Sequence, residues 1–99
     1  MVFEIEITAK AEHDLDAIVA YYRSQILDGI EQHLSYRPKQ ESRSRIKRLR
    51  LLDSPAYRLR IGDYRVYYDV DEDKRIVIVL RVLDKEESLR YLEDLENQS

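Results

Sequence analysis

The residues best equipped for chemistry in this chain are arginines and tyrosines gathered between positions 57 and 91. The run Tyr57 to Val70 reads Y-R-L-R-I-G-D-Y-R-V-Y-Y-D-V. Side chains two apart on a strand project to the same side, so Arg58 and Arg60 share a face. Gly62-Asp63 makes a short turn. Beyond it, Leu59 and Ile61 must share the core face with Tyr64 and Val66, which sets Arg65 beside the first two arginines. Like charges side by side on a sheet repel, and an incoming anion removes that cost. The planar guanidinium fork suits phosphate oxygens. Tyr67 falls on the same face, where a ring can stack on a nucleobase, while Tyr57, Tyr64 and Tyr68 fall with the core. The competing reading is a solvated strand face whose arginines pair with Asp53, Asp63 or Asp69. Tyr91 sits near the polar–apolar border of a C-terminal helix, and core packing is its other reading.

Other chemistries find little support. Cysteine is absent, which excludes disulfides, thiolate catalysis and Cys-ligated metal and fits a reducing compartment. The only histidines, His13 and His33, form no spaced ligand set. There is no glycine-rich phosphate loop and no nucleophile elbow. The acids from Asp69 to Asp73 read as a turn. We therefore expect neither a metal nor a cofactor. The formal net charge is only −3, but residues 37–65 hold ten cations against three anions, net +7, and leave −10 on the rest. Such asymmetry reads as a basic face for a polyanion. Lys47, Arg48 and Arg50 join Arg58, Arg60 and Tyr67 as the candidate phosphate- and RNA-binding set.

These residues need a scaffold, and 99 residues suffice for one domain, spanning positions 1–99. Phe3, Ile5 and Ile7 alternate with Glu4, Glu6 and Thr8, as in a half-buried strand. Thr8 can cap the helix that follows. Ala11, Leu15, Ile18, Val19 and Tyr22 form an apolar stripe of helical period, with a break expected at Arg23 and Ser24. Ile26, Ile30 and Leu34 continue it, giving a helical hairpin over about 9–36 that Pro38 ends. A polar, basic loop over 39–54 is expected to pair partly as it approaches Pro55. Strands over 56–61 and 64–70 alternate, and the nearly all-apolar 75–83 reads as a central strand. Asp84 and Glu87 fit a capping box ahead of a last helix, with Leu89, Leu92 and Leu95 on one side. The expectation is an α+β fold: an N-terminal strand, a helical hairpin, an antiparallel β-meander and a short C-terminal helix, in two layers with the second sheet face open. No apolar run is long enough for a membrane helix and no signal peptide opens the chain, so we expect a soluble cytoplasmic protein.

The run Tyr57 to Val70, with I-K-R-L-R and S-P-A upstream and the apolar strand after it, resembles the RelE/ParE superfamily of bacterial toxins, most specifically from Ile46 to Leu83. It looks closer to the RelE branch. The resemblance implies the compact RelE-like α+β fold and a ribosome-dependent, metal-independent endonuclease that cuts mRNA in the A site. The related ParE branch acts on DNA gyrase without cutting RNA, and an attenuated, non-catalytic antitoxin-binding module is a third possibility. By the same resemblance, Arg58 and Arg60 match paired basic residues, Arg65 an arginine opening the next strand, Lys85 a position commonly arginine, and Tyr91 a tyrosine of the C-terminal helix. The segment V-L-D-K-E-E-S-L-R-Y-L departs from the pattern: it lacks the glycine, histidine and arginine cluster and carries Glu86 and Glu87 where the family is often basic.

RNA cleavage of this kind needs a 2′-hydroxyl deprotonated, a phosphorane stabilised and a 5′-oxygen protonated. Arginine stays protonated, so Arg58, Arg60 and Arg65 are expected to be clamps. Tyr91, its pKa lowered by nearby cations, is the expected base. Lys85 or Arg81 is expected to protonate or stabilise the leaving group, with Lys85 the better donor. The implied partners are the ribosome with its mRNA and a cognate antitoxin that covers the groove between helices and sheet in a hetero-oligomer. Leu89, Leu92 and Leu95 face either that partner or the core.

Overall fold

A computed structural model of the protein describes residues 2–98. Eight elements follow in order: β1 (Glu4–Ile7), α1 (Ala9–Asp16), α2 (Ala20–Leu34), β2 (Ile46–Arg48), β3 (Tyr57–Ile61), β4 (Tyr64–Asp71), β5 (Ile76–Asp84) and α3 (Lys85–Asn97). The strands make one sheet in the order β1-β5-β4-β3-β2. β1 runs parallel to β5, and the other neighbours are antiparallel. The meander, the capping box at Asp84 and Glu87 and the hairpin of helices stand where the sequence predicts them. β2 is the partly pairing stretch of the basic loop, its Lys47 opposite Arg58.

One sheet face carries the main core, in which Leu59, Val66, Tyr68, Val77, Val79 and Val82 are buried beneath Ala11, Leu15, Ile26, Ile30 and Leu34 of the two helices. The sheet turns tightly at Gly62, whose φ of 56° is left-handed backbone that glycine adopts without steric cost. Tyr68 stacks on Tyr57 at 5.5 Å between ring centroids and its hydroxyl donates to the Pro38 carbonyl at 2.6 Å. A buried ring with a satisfied hydroxyl satisfies both halves of tyrosine's chemistry.

Three expectations are corrected. The break between the first two helices falls at residues 17–19, not at Arg23 and Ser24. Arg23 lies within α2 and reaches back, donating from Nε to the Leu15 carbonyl at 3.0 Å and from Nη2 to the Ile18 carbonyl at 2.9 Å. It satisfies carbonyls that the end of α1 leaves open. The turn rotates Val19 out of the apolar stripe, and it is 64% exposed. The second correction is that the far sheet face is not open, because α3 lies on it: the Tyr91 ring rests 5.0 Å from that of Tyr67. Third, Leu89 leaves the face it was assigned and is 62% exposed. Ser88, Tyr91, Leu92 and Leu95, spaced by three and four, are the positions α3 turns inward.

Candidate functional site

Strand register builds the site. Arg58 faces Tyr67 and Arg60 faces Arg65 across β3–β4, and Tyr67 faces Arg81 across β4–β5. The three arginines therefore share the sheet face opposite the core, and Lys47 joins them from β2. Arg58, Arg60 and Arg65 take no part in the ion pairs Lys39–Glu72, Arg50–Glu41, Arg75–Glu72 and Arg81–Asp14. Arg65 donates instead to the carbonyls of Gly62 and Tyr64, each at 3.2 Å. Its pKa is pushed down, first by partial burial and then by repulsion from Arg58 and Arg60. The competing reading, pairing with Asp53, Asp63 or Asp69, gains an electrostatic influence of Asp63 on Arg65, while Asp69 turns away and accepts from Ser54 Oγ at 2.5 Å and from the Ala56 amide at 2.7 Å. The face is a cationic surface on which Asp63 offsets Arg65 only in part, and it attracts an anion both by charge and by relief of that repulsion.

Beside it lies a second group. Arg81 forms a bidentate pair with Asp14 of α1, Nε to Oδ2 at 2.8 Å and Nη2 to Oδ1 at 3.1 Å. Asp14 Oδ2 also accepts the Val82 amide at 2.9 Å, an edge donor of β5 beyond the end of β1. The Arg81 guanidinium stands 5.4 Å from the centroid of Tyr91. Asp14 raises the Arg81 pKa further, so Arg81 holds its proton and its position. The Tyr91 hydroxyl is pushed up by burial, against which Arg81 is the opposing influence. That reverses the expected lowering: the cation nearest Tyr91 is neutralised by Asp14, and desolvation wins.

Other candidates are held differently, although Arg48 and Arg50 line the same cleft as Lys47 and Arg58. Arg48 lies on the core side of β2, opposite Tyr57. It clamps the following loop, donating to the carbonyls of Leu49 at 2.7 Å and Ala56 at 2.9 Å. Arg50 pairs with Glu41 at 2.9 Å on the surface. Lys85 is exposed at the first residue of α3. Tyr67 is fully buried at 0% exposure and presents no ring to a base, because α3 covers it. No group of three His, Cys, Asp or Glu side chains able to hold a metal occurs among the described residues.

A family model described as the ParE toxin of type II toxin–antitoxin systems, parDE, matches residues 5–89. The chain belongs to the RelE/ParE superfamily of toxins. A search of the curated proteins finds no match. Among solved structures, the toxin is similar to a chain of the RelBE2 toxin–antitoxin complex of Mycobacterium tuberculosis, with a TM-score of 0.69 and 23% identity over 86% of this chain and 100% of that one. It is similar to Escherichia coli RelE, an arginine-to-alanine double mutant in the free state, with a TM-score of 0.70 and 21% identity over 94% of each chain. A chain of the archaeal RelE–RelB complex of Pyrococcus horikoshii gives a TM-score of 0.61 and 21% identity over 86% of this chain and 97% of that one. At these identities the likeness establishes a RelE-like fold. No helix among the described residues of the toxin is long and apolar enough to cross a membrane.

Asp14 is the site residue that sequence reasoning missed. It sits 67 positions from Arg81, and an acid on an exposed-looking helix carries no local sign of its partner. Ser88, buried where α3 meets the sheet, was missed for the same reason. Of the three leucines of α3, Leu92 and Leu95 turn inward with Ser88 and Tyr91, and only Leu89 misled.

Proposed function

We propose that this toxin arrests translation by cutting mRNA on the ribosome, with Arg58, Arg60 and Arg65 as the phosphate clamp. The observation that carries the reading is the set of three arginines brought to one sheet face by the β3–β4 register, next to a tyrosine on the covering helix. The clamp would stabilise the charge that develops on the phosphorane, the role in which fixed cations contribute most. With its pKa raised, Tyr91 is protonated at neutral pH and is suited to donating to the leaving 5′-oxygen, while the proton of the attacking 2′-hydroxyl passes to solvent water. In this reading Arg81 orients the Tyr91 ring rather than supplying a proton. Lys85, exposed at the start of α3, is a further phosphate contact. The chain acts in the cytoplasm, free of metal, and is held inactive by an antitoxin. The RelE chains it resembles in Mycobacterium tuberculosis and Pyrococcus horikoshii are crystallised in toxin–antitoxin complexes.

A second reading is inhibition of DNA gyrase without RNA cleavage. The match to the ParE family model favours it, as does the Asp14 carboxylate that consumes the charge of Arg81. Induced expression of the toxin with separate pulse labelling of protein, RNA and DNA synthesis decides between them. Early loss of protein synthesis, with mRNA cut only when ribosomes are present, is the expected result. An early block in DNA synthesis with intact mRNA overturns the nuclease reading in favour of gyrase.

A further inference from the structure

The helix side of the sheet, opposite the arginines, carries a second surface with its own character. Val19, Tyr21 and Tyr22 stand where the chain restarts as α2, and they are 64%, 69% and 47% exposed. The rings are grouped rather than scattered. Tyr21 meets Tyr22 edge-on at 5.3 Å between ring centroids, and Tyr22 lies 6.2 Å from Tyr64 of β4. Exposed apolar surface gathered in this way marks a contact with another molecule.

Two clefts flank the Tyr22–Tyr64 pair. One, of about 410 Å³, runs between α2 and the β3–β4 turn and is lined by Asp63 and Asp84. The other, of about 540 Å³, runs between the α1–α2 break and the start of α3 and is lined by Asp14, Asp84 and Glu87. No lysine or arginine lines either cleft among the described residues. Strand register explains part of this, since Tyr64 faces Asp84 across β4–β5. Asp14 is matched by Arg81. Asp84 and Glu87 instead accept each other's backbone amides, at 3.1 and 2.8 Å, and a neutral amide leaves a carboxylate its charge. Arg23, next to Tyr22 in the chain, turns back to the carbonyls of Leu15 and Ile18. The partial positive charge at the start of α2 opposes a cation here, and the charges of Asp63, Asp84 and Glu87 outweigh it.

Ring faces with carboxylates at their rim select a flat, weakly hydrated cation. A guanidinium stacks on such a ring while its N–H fork reaches an acid, whereas an ammonium holds its water more tightly. We propose that the Tyr22–Tyr64 pair is the docking site for an arginine side chain presented by a basic segment of a partner polypeptide. The guanidinium stacks on Tyr22 and donates to the carboxylates of Asp63 and Asp84. Charge complementarity fixes the chemistry of the partner, because these acids repel a polyanion and attract a basic chain. The site stands whether or not the toxin cuts RNA.

The test is an NMR titration of the full-length toxin with three probes of equal charge: a short peptide bearing two arginines, the same peptide bearing lysines, and putrescine. The arginine peptide is expected to shift the ring signals of Tyr22 and Tyr64 and the amides of Gly62 and Asp63, and to bind the most tightly. Equal affinity for all three would reduce the surface to bulk charge attraction and overturn the site. Tighter binding of putrescine would make the occupant a small amine and overturn the polypeptide. Movement of the same signals with toxin concentration alone would seat a second copy there, and would overturn the partner. Tyr22→Leu keeps an apolar side chain at an exposed position, so Tm should hold. The variant is expected to weaken the arginine peptide by about fivefold and the lysine peptide less. Unchanged affinity for the arginine peptide would remove the stacking contact and with it the proposal.

Discussion

At the scale of single residues, the site separates charges that are free from charges that are spent. Arg58, Arg60 and Arg65 cluster on one sheet face and repel one another, whereas Arg81, Arg50 and Arg48 are committed to Asp14, Glu41 and loop carbonyls. Losing a free arginine should therefore cost function, and losing a committed one should cost stability. Arg65→Ala is expected to lower mRNA cleavage by about 10²-fold with Tm nearly unchanged, the scale on which preorganised charge acts; a primer-extension assay on stalled ribosomes measures it. Asp14→Ala is expected to destabilise the fold by about 3 kcal/mol, because it strands Arg81 and an edge amide in a partly buried place; urea unfolding reads this directly. Tyr91→Phe keeps the ring contact with Tyr67 and removes only the hydroxyl. It should abolish cleavage by at least about 10²-fold if that hydroxyl donates a proton, and leave antitoxin binding intact in a pull-down.

At the scale of elements, period two proved more informative than period three and a half. The alternation of β3 and β4, pinned by the Gly62 turn, makes the arginine face readable from the chain alone, because a slip of one residue would bury three cations. Helices gave less. The stripe from Ala11 to Tyr22 looks continuous, yet it breaks at residues 17–19, and what holds the break is Arg23 reaching back to two carbonyls. A tertiary hydrogen bond of that kind leaves no periodic trace. The covering position of α3 was likewise illegible, since Leu89 turns outward while Leu92 and Leu95 turn inward with Ser88 and Tyr91. Arg23→Ala should destabilise the toxin by about 1–3 kcal/mol, the cost of leaving part-buried carbonyls unpaired, with no direct loss of the arginine clamp. Circular dichroism melts of the variant check the first half, and phosphate affinity checks the second.

At the scale of the whole molecule, two layers of helix enclose the sheet and two tyrosines record their closure. Tyr68 lies in the main core and Tyr91 under α3, and burial raises the pKa of both hydroxyls. A folded-state pKa above the unfolded value means that the unfolded chain releases its proton first. The stability these groups contribute is therefore whole below about pH 10 and drains away as pH climbs through the folded values. Unfolding monitored against pH should show a steep alkaline loss. Tyr68→Phe should flatten that loss.

The pairing of β1 with β5 has a consequence in time. Glu4 lies beside Ile76 in the register, so the first strand to be synthesised waits for almost the last. Such a distant contact forms only after the loop between has been closed, which slows folding. The arginines of β3 and β4 emerge from the ribosome well before β5 and α3 complete the surface that positions them. The arginine face is therefore completed late, once β5 has joined β1 and α3 has closed over the sheet.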